Sequence, residues 1–259
     1  ANEAGEPTTS TGEKLDSAAV GGKLGGLLDL RDRALPEFSD QLGSLFGGLA
    51  ETINAVGNSG TAFPPPSRLD GRPTGLIGSD RLGFTGQATF AVTDQRGILV
   101  ASTTVDFDAL GPLATVDDAV TAINAGLGGD ASVTLQDGRL SFAATNTNNG
   151  VAVAQGEPPS ARAGNGFSHY FGLNDIIRSD AATLVAPGFV ASDPHGFDAG
   201  QSAQLVLRDS TGRSLATTTL TGSLGPTFGD VVTELGQSPL AAFGSFAMDD
   251  RGRISFTPT

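Results

Sequence analysis

The sequence predicts an α+β protein in which a long helical, coiled-coil-like stem is followed by two β-rich modules, each of the order strand, strand, helix, strand, strand. Three observations lead there. Apolar residues recur at alternating spacings of four and three between Leu24 and Val56; short alternating strands bounded by turn residues follow residue 66; and their pattern returns about 114 residues later. The expected division is a polar lead-in and stem over 1–66, a first β-rich module over 67–160, a connecting segment that packs near the stem over 161–194, and a second β-rich module over 195–259.

Residues 1–20 are rich in Glu, Ser, Thr and Gly and lack periodicity, as a flexible or strand-like lead-in would be. From Leu24 the spacing becomes heptad. The seam reads Leu24, Leu28, Arg31, Leu35, Phe38, Leu42, Leu45, Leu49, Thr52 and Val56, with Leu27, Phe46 and Ile53 beside it. Eight of those ten positions are apolar, the pattern of a helix packing lengthwise against others. A helix from Leu24 to Val56 would extend about 50 Å. Leu24, Leu28, Leu35, Phe38, Leu42, Leu45, Leu49 and Val56 are therefore the candidate helix-packing interface. Pro36 either kinks this helix or sits in the first turn of a second one. Gly57, Asn58, Ser59 and Gly60 supply its stop, and Pro64, Pro65 and Pro66 prevent its resumption. No other segment carries a matching heptad run, so the partner helix belongs to another molecule or to polypeptide outside these residues, and the second is favoured. Leu42→Asp, in the middle of the seam, is expected to destabilise helix packing by about 2–5 kcal/mol.

Beyond residue 66, residues 86–93 alternate between faces, Asp94–Gly97 forms a turn, and Ile98–Phe107 is β-branched. Thr115–Asn124 reads as a helix with Thr115 capping the amide of Asp118, and Val116, Ala119, Val120 and Ile123 on one face. Ala131–Leu135 and Arg139–Ala144 flank a turn at Asp137 and Gly138 as a hairpin. Much of this order returns: Gly86 and Gln87 match Gly200 and Gln201, Asp94–Gly97 matches Asp209–Gly212, Thr115–Val120 matches Thr227–Val232, and Gly138–Phe142 matches Gly252–Phe256. The offsets stay between 112 and 115, giving units of about 80–158 and 195–259. Between them, Phe167–Ser179 is an apolar, helix-compatible stretch expected to pack against the stem.

Composition limits the chemistry. The net charge of −13, without a basic cluster, opposes sequence-independent binding to nucleic acid or anionic membrane. No run of about 18 apolar residues suggests membrane insertion, and residues 1–20 carry no basic start and apolar stretch of a secretory signal. The absence of Cys excludes disulfides and thiolate metal sites, and would suit a chain exported unfolded through a narrow conduit. No phosphate loop, nucleophile elbow, HExxH or calcium loop is present. The glycines at 21, 22, 25 and 26 lead into the heptads and lack the Lys-Ser/Thr ending of a phosphate loop. His169, among Phe167, Tyr170 and Phe171, reads as a packing or hydrogen-bonding residue, and His195 as a turn residue. Asp106 with Asp108, Asp117 with Asp118, and Asp249 with Asp250 read as helix-start and turn carboxylates. No catalytic, cofactor-binding or metal-binding residue is assigned, and the chain is not expected to be an enzyme.

The run GGKLGGLLDLRDRALPEFSDQLGSLFGGLAETINAV, from Gly21 to Val56, resembles the flagellar hook-associated protein 1 family, in which a GG-x-LGGLL-x-x-RD-x-x-LP signature opens a long helix. Gly22, Leu24, Gly25, Gly26, Leu27, Leu28, Arg31, Asp32, Leu35, Pro36, Leu42, Leu45, Leu49, Ala50, Asn54 and Ala55 carry the match. FSHYFGLNDII, Phe167–Ile177, is similar to a segment of the alphaproteobacterial branch. The resemblance implies a structural subunit of the extracellular bacterial flagellum at the hook–filament junction, exported by the flagellar type III apparatus and self-assembling without cofactors. The implied partners are other axial proteins: the hook protein, neighbouring junction subunits and the second junction protein. In that family the extreme terminal helices complete the coiled coil against this stem, so the chain is expected to be a fragment lacking them and to be monomeric. Gly57 stands where the family pattern leads one to expect His or Gln. The rival reading from composition is an extracellular adhesin or ligand-binding module built from the repeated β-rich domains, which the scarcity of Tyr and Trp disfavours for glycans.

Overall fold

The computed structural model describes residues 21–178, 184–197, 200–209, 212–221 and 225–259. The lead-in over 1–20 lies outside them. The chain divides into two compact units, Ala1–Leu49 and Ala50–Thr259.

The described part of the first unit is helical. Helix α1 spans Gly22–Asp29, a π-helical turn follows at Leu30–Ala34, and α2 runs from Leu35 to Asn58, across the division between the units. The π-turn is a response to Pro36. Proline lacks an N–H, and its ring crowds the carbonyl four residues back, so the helix widens one turn early and the Leu35 N–H bonds to the Leu30 carbonyl. Pro36 then occupies the first turn of α2, where its missing donor costs little.

The second unit begins with the last turns of α2, which end in a polar clasp. The Asn54 side chain accepts from the Ile176 and Ile177 N–H groups at 2.9 and 2.8 Å and donates to the Ile177 carbonyl at 2.8 Å. One turn on, Asn58 accepts from the Asn174 N–H and the Ser168 hydroxyl and donates to the Asn54 carbonyl and to Asp175. Both asparagines are buried. Beside them Arg72 bridges Glu51 at 2.9 Å and Asp175 at 2.7 Å, and Glu51 also meets His169 Nε2. Gly57 is explained here. A Cβ at that position would lie 2.9 Å from the Asn174 carbonyl and 3.0 Å from the Ile176 side chain, so a His or Gln would push the clasped segment away.

Around the clasp lies the larger core. Strand β1 (Arg68–Asp70) pairs antiparallel with β5 (Arg139–Ala144), which pairs with β4 (Ala131–Gln136). A second sheet has the order β3-β2-β6, with β2 at Gln87–Thr93, β3 at Leu99–Asp106 and β6 at Gly150–Gln155. Period-two alternation places Ala88, Phe90 and Val92 of β2 at 0% exposure. The one-turn helix α3 (Phe107–Leu110) and helix α4 (Val116–Leu127) follow β3. Thr115 and Asp118 form a capping box at the start of α4, and its Asn124 side chain brackets Val133 of β4, accepting from its N–H at 2.7 Å and donating to its carbonyl at 2.9 Å.

The segment expected as a connector is part of this core. Helix α5 is only Phe167–Phe171, stopped by Gly172 at φ +66°, and its Phe167, Tyr170 and Phe171 rings lie 5.2–6.0 Å from that of Phe84. The boundary expected at residue 160 is therefore not a boundary of packing: the aromatic run at 167–171 supplies the centre of the first β-rich module. β1, α3 and β6 were not foreseen, and β6 adds the third strand of its sheet.

The second β-rich region contains β7 (Ser202–Arg208), β8 (Ser214–Thr221), α6 (Phe228–Gln237), a 3₁₀ turn at Pro239–Phe243, β9 (Gly244–Met248) and β10 (Ile254–Pro258). β7 pairs with β8 and β9 with β10, each as a two-stranded antiparallel hairpin. Its core is small: Leu220, Val231, Leu235 and Leu240 are buried, with Leu205, Leu207, Ala216 and Phe246 partly so.

Replacing Asn54 by Leu removes the partners of three backbone groups at 176–177, and buried groups left unsatisfied are costly. The urea midpoint of Asn54→Leu should fall by the equivalent of about 3 kcal/mol with an unchanged slope. A midpoint equal to that of the parent chain would mean that the clasp holds nothing.

Candidate functional site

The exposed apolar side of the helix is the feature that calls for a partner. In the first unit Leu24, Leu35, Phe38, Leu42, Leu45 and Leu49 are all more than half exposed, as are Leu27 and Phe46 beside them; Leu28 is buried. Val56, the last seam residue, is 70% exposed in the second unit. Large apolar side chains set in a row at helical spacing are unusual on a finished surface and mark a site of protein association. Arg31, at a seam position, is held by Asp32, so the charge inside the heptads is locally compensated. The described residues leave Leu42 54% exposed, so the cost expected of Leu42→Asp does not arise from packing among them.

Four of the six candidate carboxylates carry structural duties. Asp106 caps α3 by accepting from the Asp108 and Ala109 N–H groups, and Asp108 accepts from the Gly86 N–H. Asp118 is bound by the Thr115 N–H and hydroxyl, which hold its carboxyl below the ordinary value. Asp249 closes a hairpin turn by accepting from the Arg251 and Arg253 N–H groups, as Asp94 does with Arg96 and Ile98. His195 sits in a turn, with Nε2 2.7 Å from the Gly225 carbonyl and Nδ1 accepting from the Phe197 N–H. Among the described residues no group of three or more His, Asp or Glu side chains could hold a metal ion, and no helix is long and apolar enough to cross a membrane. A shallow cleft of about 610 Å³ is lined mainly by Leu110–Ala114 and the outer face of α4, and its one carboxylate, Asp118, is committed to the helix cap.

Sequence reasoning gave no role to Arg162, which is 1% exposed. It donates to the carbonyls of Arg81, Leu82 and Pro187 at 2.7–3.0 Å, and its guanidinium lies over the rings of Tyr170 and Phe189. Burial, reinforced by nearby Arg81, lowers its proton affinity against the opposing effect of Tyr170, yet an arginine stays charged at neutral pH. Next to it Arg81 pairs with Asp193 at 2.9 Å. These contacts pin the approach to the second β-rich region onto the core of the first. Burial would raise the Asp193 carboxyl, but the Arg81 guanidinium and the Val190 N–H outweigh it and hold it below 3.8. Only pairing of a buried arginine with several backbone carbonyls could have signalled this lock, and such pairing is invisible in a linear pattern.

Residues 3–71 match the family model described as the flagellar hook-associated protein FlgK helical domain. The matched span includes α1, the π-turn, α2 and β1, and so contains the whole exposed leucine row. No curated protein matches the chain. The helical region is thus similar to the helical domain of flagellar hook-associated proteins.

Two outcomes are expected. Leu42→Asp should shift the thermal midpoint of the isolated chain by less than about 2 °C, since exposed substitutions change stability by about 0.5 kcal/mol or less. A large drop would show that the row is covered in solution. The Asp193 contribution is complete above its ordinary value of 3.8 and is lost as pH falls through its lower folded value. The stability gap between the parent chain and Asp193→Asn, read by urea titration, should therefore be constant above about pH 4 and shrink below it; a gap unchanged down to about pH 2 would contradict the assignment.

Proposed function

We propose that this chain is a structural subunit of the bacterial flagellum that joins hook to filament, and that it works through subunit contacts without catalysis. The observation that carries the reading is the row Leu24, Leu35, Phe38, Leu42, Leu45 and Leu49, left exposed inside the span similar to the hook-associated helical domain. An apolar row in this position is what a coiled-coil stem presents before its partner helices arrive. On this reading the chain is part of a longer, alphaproteobacterial subunit whose terminal helices cover the row. It is exported through the flagellar type III apparatus, it assembles outside the cell, and its neighbours are the hook protein, other junction subunits and the second junction protein. The two β-rich regions are then copies of one strand, strand, helix, strand, strand unit placed outside the tube. Asp106, Asp108, Asp118 and Asp249 are committed to caps and turns, which fits an architectural part.

In the full-length protein the double substitution Leu42→Asp, Leu49→Asp should leave the β-rich regions folded, with an unchanged near-native circular dichroism, yet abolish attachment of filaments to hooks. Swimming in soft agar and electron microscopy of sheared flagella read this out. Normal filaments in the double variant would remove the interface, and absence of the parent protein from purified flagella would remove the function.

A further inference from the structure

The two β-rich regions share more than an order of elements. In the first, Ile77 N–H donates to the Asp80 carboxylate and Asp80 N–H to the Ile77 carbonyl; Val116, Leu82 and Asp117 N–H groups then donate to the carbonyls of Asp80, Ala114 and Gly78. In the second, Val190 and Asp193 exchange the same pair of bonds, and Phe228, His195 and Gly229 N–H groups donate to the carbonyls of Asp193, Pro226 and Ala191. Capping boxes open both long helices, at Thr115 with Asp118 and at Thr227 with Asp230. The hairpins break register at the same point, between Val92 and Thr93 in β2 and between Leu207 and Arg208 in β7. Through that break Ala88, Phe90 and Val92 correspond to Ala203, Leu205 and Leu207, and Phe84 corresponds to Phe197.

One difference stands out against this agreement. β2 lies between β3 and β6, whereas among the described residues β7 pairs with β8 alone. The inward row of β2 is at 0% exposure, while Ala203, Leu205 and Leu207 are only half-buried. Phe84 is buried under Phe107, Phe167, Tyr170 and Phe171, and Phe197 is half-buried with His195 as its ring neighbour. An open strand edge beside under-covered apolar residues is a place for an added strand.

We infer that the edge of β7 that no described strand covers takes one further antiparallel strand, supplied by the polypeptide that follows β10 in the natural chain. The internal comparison fixes source and chemistry. β6 leaves β5 after the short link 145–149 and pairs with β2 so that Val153 faces Phe90 and Val151 faces Val92. The strand on β7 therefore carries apolar, β-branched residues opposite Leu205 and Leu207, small or polar ones between them, and an aromatic stretch after it that covers Phe197 as 167–171 covers Phe84. A short link of this kind suits the same chain better than a second copy. The inference rests on the reading that the chain is part of a longer subunit, but not on where that subunit acts.

Amide hydrogen exchange tests it, comparing these 259 residues with a form carrying the natural polypeptide downstream of β10, both as monomers at low concentration. In the shorter form β7 amides should exchange at least about tenfold faster than those of β2, and in the longer form they should slow by about tenfold or more while β2 is unchanged. The β2 amides report that both forms are folded. β7 amides equally fast in the two forms would overturn the inference, and so would slowing that appears only as dimers form on concentration. A longer form that protects β7 but never enters flagella would sink the junction role and leave this strand in place.

Discussion

Along one helix the usual distribution of side chains is inverted: leucines are outside and asparagines are inside. At the end of α2 the structure depends on amide hydrogen bonds that Asn54 and Asn58 make to the backbone of 174–177 and to Ser168. Such bonds need both partners in register, because a buried amide displaced by one residue leaves several polar groups unsatisfied. An apolar contact would tolerate sliding. The clasp fixes which helical turn meets the 168–177 segment, and the aromatic centre of the first module is built from that same segment.

A second fixed point is Arg162. Its bonds run to Arg81 and Leu82, ahead of β2, and to Pro187, ahead of the second β-rich region, and its flanks are covered by Tyr170 and Phe189. A buried guanidinium donating through Nε and Nη1 to three carbonyls holds backbone segments from distant parts of the sequence at set distances, and the Arg81–Asp193 pair adds an ion pair at the rim. Cores of unequal size are thereby joined by polar groups.

Local signals were legible in the sequence wherever the physics is local. The heptad spacing placed the helix and its stop at Gly57–Gly60, Thr115 and Asp118 announced the start of α4, and the turns at 94–97 and 137–138 placed two hairpins. What failed to show depends on contacts distant along the chain. β6 and β1 acquire their meaning only from the partners β2 and β5; the 167–171 aromatics looked like a connector because their neighbour Phe84 lies more than eighty residues earlier. For the candidate interface, spacing revealed that one side of the helix is apolar but carried no information about which residues this chain covers, and Leu28 is buried where Leu24 and Leu35 are not.

The π-turn at Leu30–Ala34 gives the leucine row a property that its spacing conceals. Five residues close a ring that four would close in an α-helix, so side chains after the turn are rotated about the axis by roughly a quarter turn relative to those before it. Leu27, eight residues before Leu35, is thereby brought into line with Leu35, Leu42 and Leu49, whereas Leu28, which the heptads place in the seam, is turned out of it and is buried.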